Sequence, residues 1–228
     1  VGCIPVRKFI MDTDVIKDMI YCTKNLNSSV LMYPEASYSF DGTATKLPRR
    51  LGVLFKSLNV PVVMITTYGS FARDPLYNNL QVRKVDVTAD VKYLLSPEEI
   101  QAKTTDEIRQ ILTKEFTFDN WKWQQENHVK ISEPFRADCL NRVLYKCQCC
   151  ETEGKMVGKG TKISCSQCGA SWNLTEYGTL ESLTEEKNIK FTHVPDWFAW
   201  EREKVREEIL NNSYKIEADV DIYMMVNM

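Results

Sequence analysis

No stretch of the sequence approaches the roughly 18 consecutive apolar residues of a membrane span, so the expectation is a chain that is soluble or at most lies on a membrane. Neither sign of charge is in excess: 29 Lys/Arg stand against 31 Asp/Glu, a net of −2. That balance offers no global case for a nucleic-acid binder. Eight cysteines in 228 residues fall well short of the roughly 8–10% of a disulfide scaffold. There is no internal repeat, no low-complexity segment and no secretory signal at the start. What is present is ordinary for a globular chain, with 43% hydrophobic and 26% charged residues. The length suits one domain plus a small one, at roughly 100–200 residues per domain. Val1 stands where a start would have Met, and Met224-Met225-Val226-Asn227-Met228 closes the chain in mid-run. Both ends are expected to be cut.

The first hundred residues read as alternating strands and helices. Gly2–Val6 is predicted as a short buried strand, and Asp12 or Thr13 as the cap of a helix to about Leu26. Ser29–Tyr33, ended by Pro34, has the largely apolar run of a strand buried on both faces. Pro48 is predicted to open a helix through Leu58, with Leu51, Leu54, Phe55 and Leu58 as its core stripe. Pro61–Thr66 reads as another buried strand. This order predicts parallel pairing with right-handed crossovers, and ligands gather at the carboxyl ends of such strands. Leu80–Val91 is β-rich and reads as an edge or added pair; Ser96-Pro97-Glu98-Glu99 is a capping box opening a helix, broken near Thr104-Thr105, to Phe116. Residues 117–142 are aromatic and polar without a clear period. Pro195-Asp196 is predicted to start a helix to about Asn211, and Tyr214–Val226 a final strand.

Five of the eight cysteines crowd into residues 147–168. Cys147-x2-Cys150 and Cys165-x2-Cys168 are separated by 14 residues, just under the about 15–20 common between paired knuckles. Two such knuckles place four thiolates about one Zn²⁺ at roughly 2.3 Å each and leave no open position for water, so the predicted zinc is structural. Lys155–Lys162, with Gly158 and Gly160, supplies a hairpin tip, and Gly169 permits the tight turn after Cys168. Cys149 is left over. Cys3, Cys22 and Cys139 stand alone, as buried thiols would. Clustered cysteines point to a reducing, cytoplasmic compartment. Residues 140–170 hold five Lys/Arg against two acids; no basic stripe extends further, and nucleic acid is not expected as a partner.

The segment Leu31-Met32-Tyr33-Pro34-Glu35-Ala36-Ser37-Tyr38-Ser39-Phe40-Asp41-Gly42-Thr43 offers hydroxyls and backbone N–H groups between a strand and a helix, where an anion can sit. It resembles the strand–Pro-Glu-Gly-Thr-Arg-Ser–Asp-Gly block of the glycerolphosphate and lysophosphatidate acyltransferases. Gly2-Cys3-Ile4-Pro5-Val6-Arg7-Lys8 is similar to that family's second block, and Asn59-Val60-Pro61-Val62-Val63 to its fourth. Order and spacing agree across roughly residues 1–70. The resemblance implies acyl transfer from a thioester, acyl-CoA or acyl carrier protein, to a glycerol hydroxyl of a lysophospholipid acceptor such as lysophosphatidate. It places Lys8, Glu35, Ser37 and Ser39 in the acceptor site, with Arg7 as a surplus base. Three positions depart: Ala36, Ser37 and Tyr38 stand for the family's Gly, Thr and Arg. The Arg would contact the acceptor's phosphate, a charge that Arg7, Lys8, Lys46, Arg49, Arg50 or Arg73 could supply.

The family's first block, Asn-His-x4-Asp, supplies the general base and precedes the second. No such block lies in these residues. Asn127-His128-x4-Glu133 mimics it in the wrong place, and His193 reads as structural or superficial. The chain by itself is therefore expected to be inactive, with its catalytic pair upstream and any peripheral contact with the cytoplasmic face of a membrane made by that missing part. Trp197 and Trp200 lead a charged helix whose glutamates suit burial against the ribbon or the following strand better than a lipid surface. The expected architecture is α/β: a parallel-sheet acyltransferase-like domain (1–95) lacking its first segment, a helical connector (96–142), a zinc ribbon (143–180) and a small α/β tail (181–228). The alternative is a degenerate acyltransferase scaffold or a zinc-ribbon module that binds a protein or nucleic-acid partner.

Overall fold

Apolar residues three and four apart form the first helices. The structure, a computed structural model, describes residues 2–5, 13–35, 37–184, 189–216 and 221. Helix α1 (Thr13–Ile20) buries Met19 and runs on into a π-helical turn, Tyr21–Asn25. There the Thr23 hydroxyl donates to the Met19 carbonyl at 2.8 Å. Helix α2 (Leu51–Leu58) carries the expected stripe, with Leu51, Phe55 and Leu58 buried. It begins three residues after Pro48 because Pro48–Arg50 is taken up in a turn closed by Leu51 N–H on the Pro48 carbonyl. Asn59 ends it in the left-handed conformation that closes many helices.

Among the described residues the expected parallel sheet does not form: both sheets are antiparallel. Strand β1 (Val62–Tyr68) pairs antiparallel with β2 (Thr88–Leu95), from Val62 opposite Leu95 to Tyr68 opposite Thr88. Gly2–Pro5, the described part of the first expected strand, has no strand partner, and Gly2, Cys3 and Pro5 are exposed. Ser29–Tyr33 also stays outside any sheet. Its apolar residues divide: Val30 and Met32 lean on the helical core, while Leu31 and Tyr33 are 69% and 78% exposed. Nor is β1 buried on both faces, since Val63 and Ile65 lie open opposite Tyr93 and Val91. A continuous apolar run is compatible with a strand covered on both faces or on one. Here only one face of each segment finds a core, and an antiparallel pair needs no more.

Short helices follow. Helix α3 is Ser70–Arg73; α4 (Pro97–Ala102) and α5 (Thr105–Glu115) are each opened by a reciprocal capping box, Ser96 with Glu99 and Thr104 with Glu107. The second box explains the break: Thr104 N–H and hydroxyl both reach the Glu107 carboxylate, at 2.7 and 2.8 Å. Ile100, Ile108 and Leu112 join Met19, Phe55 and Leu58 in one core. Helix α6 (Asn120–Glu126) emerges from the segment without visible period, capped by the Asp119 carboxylate on the N–H groups of Trp121 and Lys122.

The cysteine region is a four-stranded antiparallel meander of β3 (Met156–Lys159), β4 (Lys162–Cys165), β5 (Ser171–Leu174) and β6 (Leu180–Ser182). Its inner face, with Met156, Ile163, Trp172 and Leu174, belongs to a core that also takes in Tyr77, Trp121 and Trp197. The closing helix α7 (Val194–Leu210) has Pro195 in its first turn, as expected. Tyr214–Ile216 form no strand, and the remainder of the predicted Tyr214–Val226 strand, Asp221 apart, lies outside the described residues. No described helix is long and apolar enough to cross a membrane.

Candidate metal centre and the Glu35 loop

The two knuckles are built alike. In the first, Cys147 N–H donates to the Thr152 carbonyl (3.0 Å) and Glu151 N–H to the Cys147 carbonyl (2.9 Å). In the second, Cys165 N–H donates to Ala170 (2.8 Å) and Gly169 N–H to Cys165 (2.9 Å). The residue after the second cysteine is left-handed in both, Glu151 at φ 58° and Gly169 at φ 77°. Glycine takes that conformation freely. Glu151 is held there with its carboxylate on Lys190 Nζ at 2.8 Å.

This geometry brings Cys147, Cys150, Cys165 and Cys168 together, their Sγ atoms all within 4.8 Å of one another. Cys147 and Cys168 lie 3.7 Å apart, as do Cys150 and Cys165. A tetrahedron with arms of about 2.3 Å has edges of about 3.8 Å, so the four sulfurs fit a metal ion with little adjustment. Burial pushes the Cys147 thiol up. Burial acts the same way on Cys150, but contacts with Thr152 and with the Cys168 and Cys147 thiols outweigh it and bring that thiol down to about 6. Cys149 stays outside the cluster and donates its N–H to Cys147 Sγ at 3.4 Å. The lone cysteines are not buried: Cys3 is exposed, and Cys22 and Cys139 are partly covered.

Helix α7 and the chain before it grip the first knuckle. Buried Gln148 accepts the N–H groups of Lys190 (2.7 Å) and Phe191 (2.8 Å) and donates to the Phe191 carbonyl. Trp197 packs edge-on against Trp172, centroids 4.8 Å apart, and donates its indole N–H to the Lys146 carbonyl at 2.9 Å. Glu201 is fully buried and accepts the Lys146 N–H at 2.8 Å. Lys146 Nζ in turn meets Glu208 at 2.9 Å. Sequence reasoning placed Trp197 correctly. It missed Gln148 and Glu201, for a polar residue in a knuckle or on a charged helix carries no sign of burial.

Burial pushes the Glu201 carboxyl up to about 9, with Glu153 adding to it and the Lys146 N–H opposing. The folded chain therefore binds a proton that the unfolded chain releases near the ordinary carboxyl value of 4.5. Stability from this group is fully present below the unfolded value and is lost as pH rises toward 9. Glu201→Gln keeps an acceptor for Lys146 without the proton. It is expected to raise stability at pH 8–9 and flatten its fall with pH, which urea unfolding at several pH values checks; an unchanged slope would remove Glu201 as the cause.

The loop that carries the acyltransferase resemblance is closed on itself. Glu35 Oε2 accepts the Thr45 N–H at 2.7 Å and its hydroxyl at 3.0 Å. Ser39 Oγ donates to the Thr43 carbonyl (2.7 Å) and accepts the Gly42 N–H (3.0 Å), while Asp41 takes the Thr43 N–H and hydroxyl. Gly42, at φ 89°, leaves no room for a Cβ, which would stand 2.6 Å from Trp121 Nε1. Trp121 Nε1 donates to the Asp41 carbonyl at 2.7 Å, Asn120 to Gly42, and Ala44 N–H to Phe118. Glu35 and Ser39 are thus brought into one loop; Ser37 is exposed at its rim. Arg7 and Lys8 lie outside the described residues. Lys46, Arg49, Arg50, Arg73 and His128 are exposed.

His193 precedes α7 and is largely covered. Its Nε2 lies 3.1 Å from Asp119 and its Nδ1 3.1 Å from Asp196, off the line of a good hydrogen bond. Burial works against the imidazolium, but Asp119 and Asp196 outweigh it and raise the pKa. Both ring nitrogens face carboxylates, so His193 links the start of α7 to Asp119.

Comparison with protein-family models, curated proteins and solved structures found no match to this chain.

Proposed function

We propose that this chain is part of an acyltransferase of glycerophospholipid synthesis, with an acceptor loop around Glu35 and a structural zinc ribbon. The reading is carried by one observation: three blocks, Gly2–Lys8, Leu31–Thr43 and Asn59–Val63, stand in the family's order and spacing. The parallel sheet is no part of its support. Glu35 is tied at the loop's neck, where a carboxylate can orient an acceptor hydroxyl, and Ser39 lies in the same loop, bonded to Gly42 and Thr43. The acceptor is a lysophospholipid, and the donor acyl-CoA or acyl carrier protein. Soft thiolates select zinc over hard cations. Cys147, Cys150, Cys165 and Cys168 would hold it, and with four thiolates the ion cross-links the fold and takes no part in chemistry.

The test uses the full-length protein. Acyl transfer to lysophosphatidate and other lysophospholipids is measured with both donors, and Glu35→Gln is expected to lower kcat/KM by roughly 10²-fold, the scale of a misplaced reactant, at unchanged metal content. A full reading frame without Asn-His-x4-Asp upstream, or no transfer from either donor, would overturn the enzyme reading and leave the ribbon as a partner-binding module.

A further inference from the structure

Helix α7 touches both features described above. At one side Trp197 and Glu201 bind it to the first knuckle, and residues 190–191 just before it are bound there by Gln148. At the other, Phe198 packs on Phe40, ring centroids 5.7 Å apart, and His193 meets Asp119 at 3.1 Å. Phe40 is in the Glu35 loop. Asp119 bridges to Thr43 of the same loop and caps α6, whose Trp121 holds the Asp41 carbonyl. From Lys146, the chain neighbour of Cys147, to Phe40 and Thr43 of the Glu35 loop, the steps are contacts between named groups or neighbours along the chain.

We propose that α7 is a strap through which the metal ion at the four cysteines holds the Glu35 loop in order, so that metal occupancy regulates the acceptor site. The physical argument starts at Lys146, whose N–H and carbonyl are bonded by Glu201 and Trp197. That backbone keeps its position only while the adjacent Cys147 is anchored in the knuckle. Four thiols crowded within 4.8 Å have no reason to stay together without an ion: they lose the metal bonds and gain only weak S–H contacts. When the knuckle opens, Gln148 leaves residues 190–191 and α7 loses its ties from Trp197 and Glu201 together. Phe198 and His193 are then no longer held against Phe40 and Asp119. The loop keeps its own bonds from Ser39, Asp41 and Glu35, so its expected response is faster opening and not dissolution.

Naming the loop an acceptor site rests on the acyltransferase reading; the strap itself does not. Hydrogen exchange of the full chain, with zinc bound and after chelation, reads it without substrate. On zinc removal, amides of residues 190–200 and of residues 40–46 are expected to exchange roughly tenfold faster or more, the signature of local opening, while α2 and α5 keep their rates. In Phe198→Ala/His193→Gln, zinc removal should still free residues 145–170 and no longer change residues 40–46; the single substitutions, each cutting one tie, should fall between. Unchanged loop exchange on zinc removal, an equal response in the cut variant, or unfolding of α2 and α5 along with the ribbon would each overturn the strap. A chain that binds no zinc would overturn it too. Failed acyl transfer with a coupled loop would sink the enzyme reading alone.

Discussion

Cys165→Ser is expected to abolish metal uptake, from one ion per chain to none, and to unfold the ribbon. Cys165 is buried, its Sγ is one of the four, and its N–H and carbonyl both form the second knuckle. The binding free energy of a structural zinc in small peptides is on the order of 10–16 kcal/mol, as large as the roughly 5–15 kcal/mol that holds a whole domain together. Strands of three or four residues cannot make up that difference. Metal analysis and tryptophan fluorescence check the outcome together, since Trp172 and Trp197 are wholly buried in this core and should shift to the red. A variant, or a chelated wild type, that stayed folded with an unshifted spectrum would refute a structural metal.

Trp197→Ala should be the most damaging substitution away from the cysteines. The indole is fully buried against Trp172, and truncation of a buried aromatic costs about 3–5 kcal/mol. It also strands the Lys146 carbonyl. Trp197→Phe separates the two losses: the ring remains, the hydrogen bond goes, and the expected cost is about 1–3 kcal/mol for an unsatisfied buried acceptor. Denaturant midpoints of the zinc-loaded chains measure both. Equal costs for Phe and Ala would mean that the indole N–H, and not the packing, dominates.

Much of this was legible because it is local. The two CxxC pairs announce four thiolates from spacing alone, and the hairpin tip between them fell where Gly160 stands. The capping box at Ser96, the stripe of α2 and the proline start of α7 are governed by residues within one turn of each other. The second box, Thr104 with Glu107, carried the same signal and explains the predicted break. The parallel sheet failed for the opposite reason. Apolar runs at residues 29–33 and 61–66 say that a side must be covered, but not by what or from which direction. Their partners, the α2–α5 core and β2, lie tens of residues away.

The substrate residues divide in the same way. The block around Glu35 could be read as a loop after an extended segment, whereas its anchorage on Trp121 and Phe198 could not. Gln148 and Glu201 gave no sign at all. Sequence alone picked out the four cysteines that come together, since thiolate chemistry and knuckle spacing admit few alternatives. Tertiary structure alone decided what that cluster is attached to. Contacts such as Trp197 with Lys146, 51 residues apart, and Trp121 with Asp41, 80 apart, depend on how separate segments pack, and no local pattern encodes that.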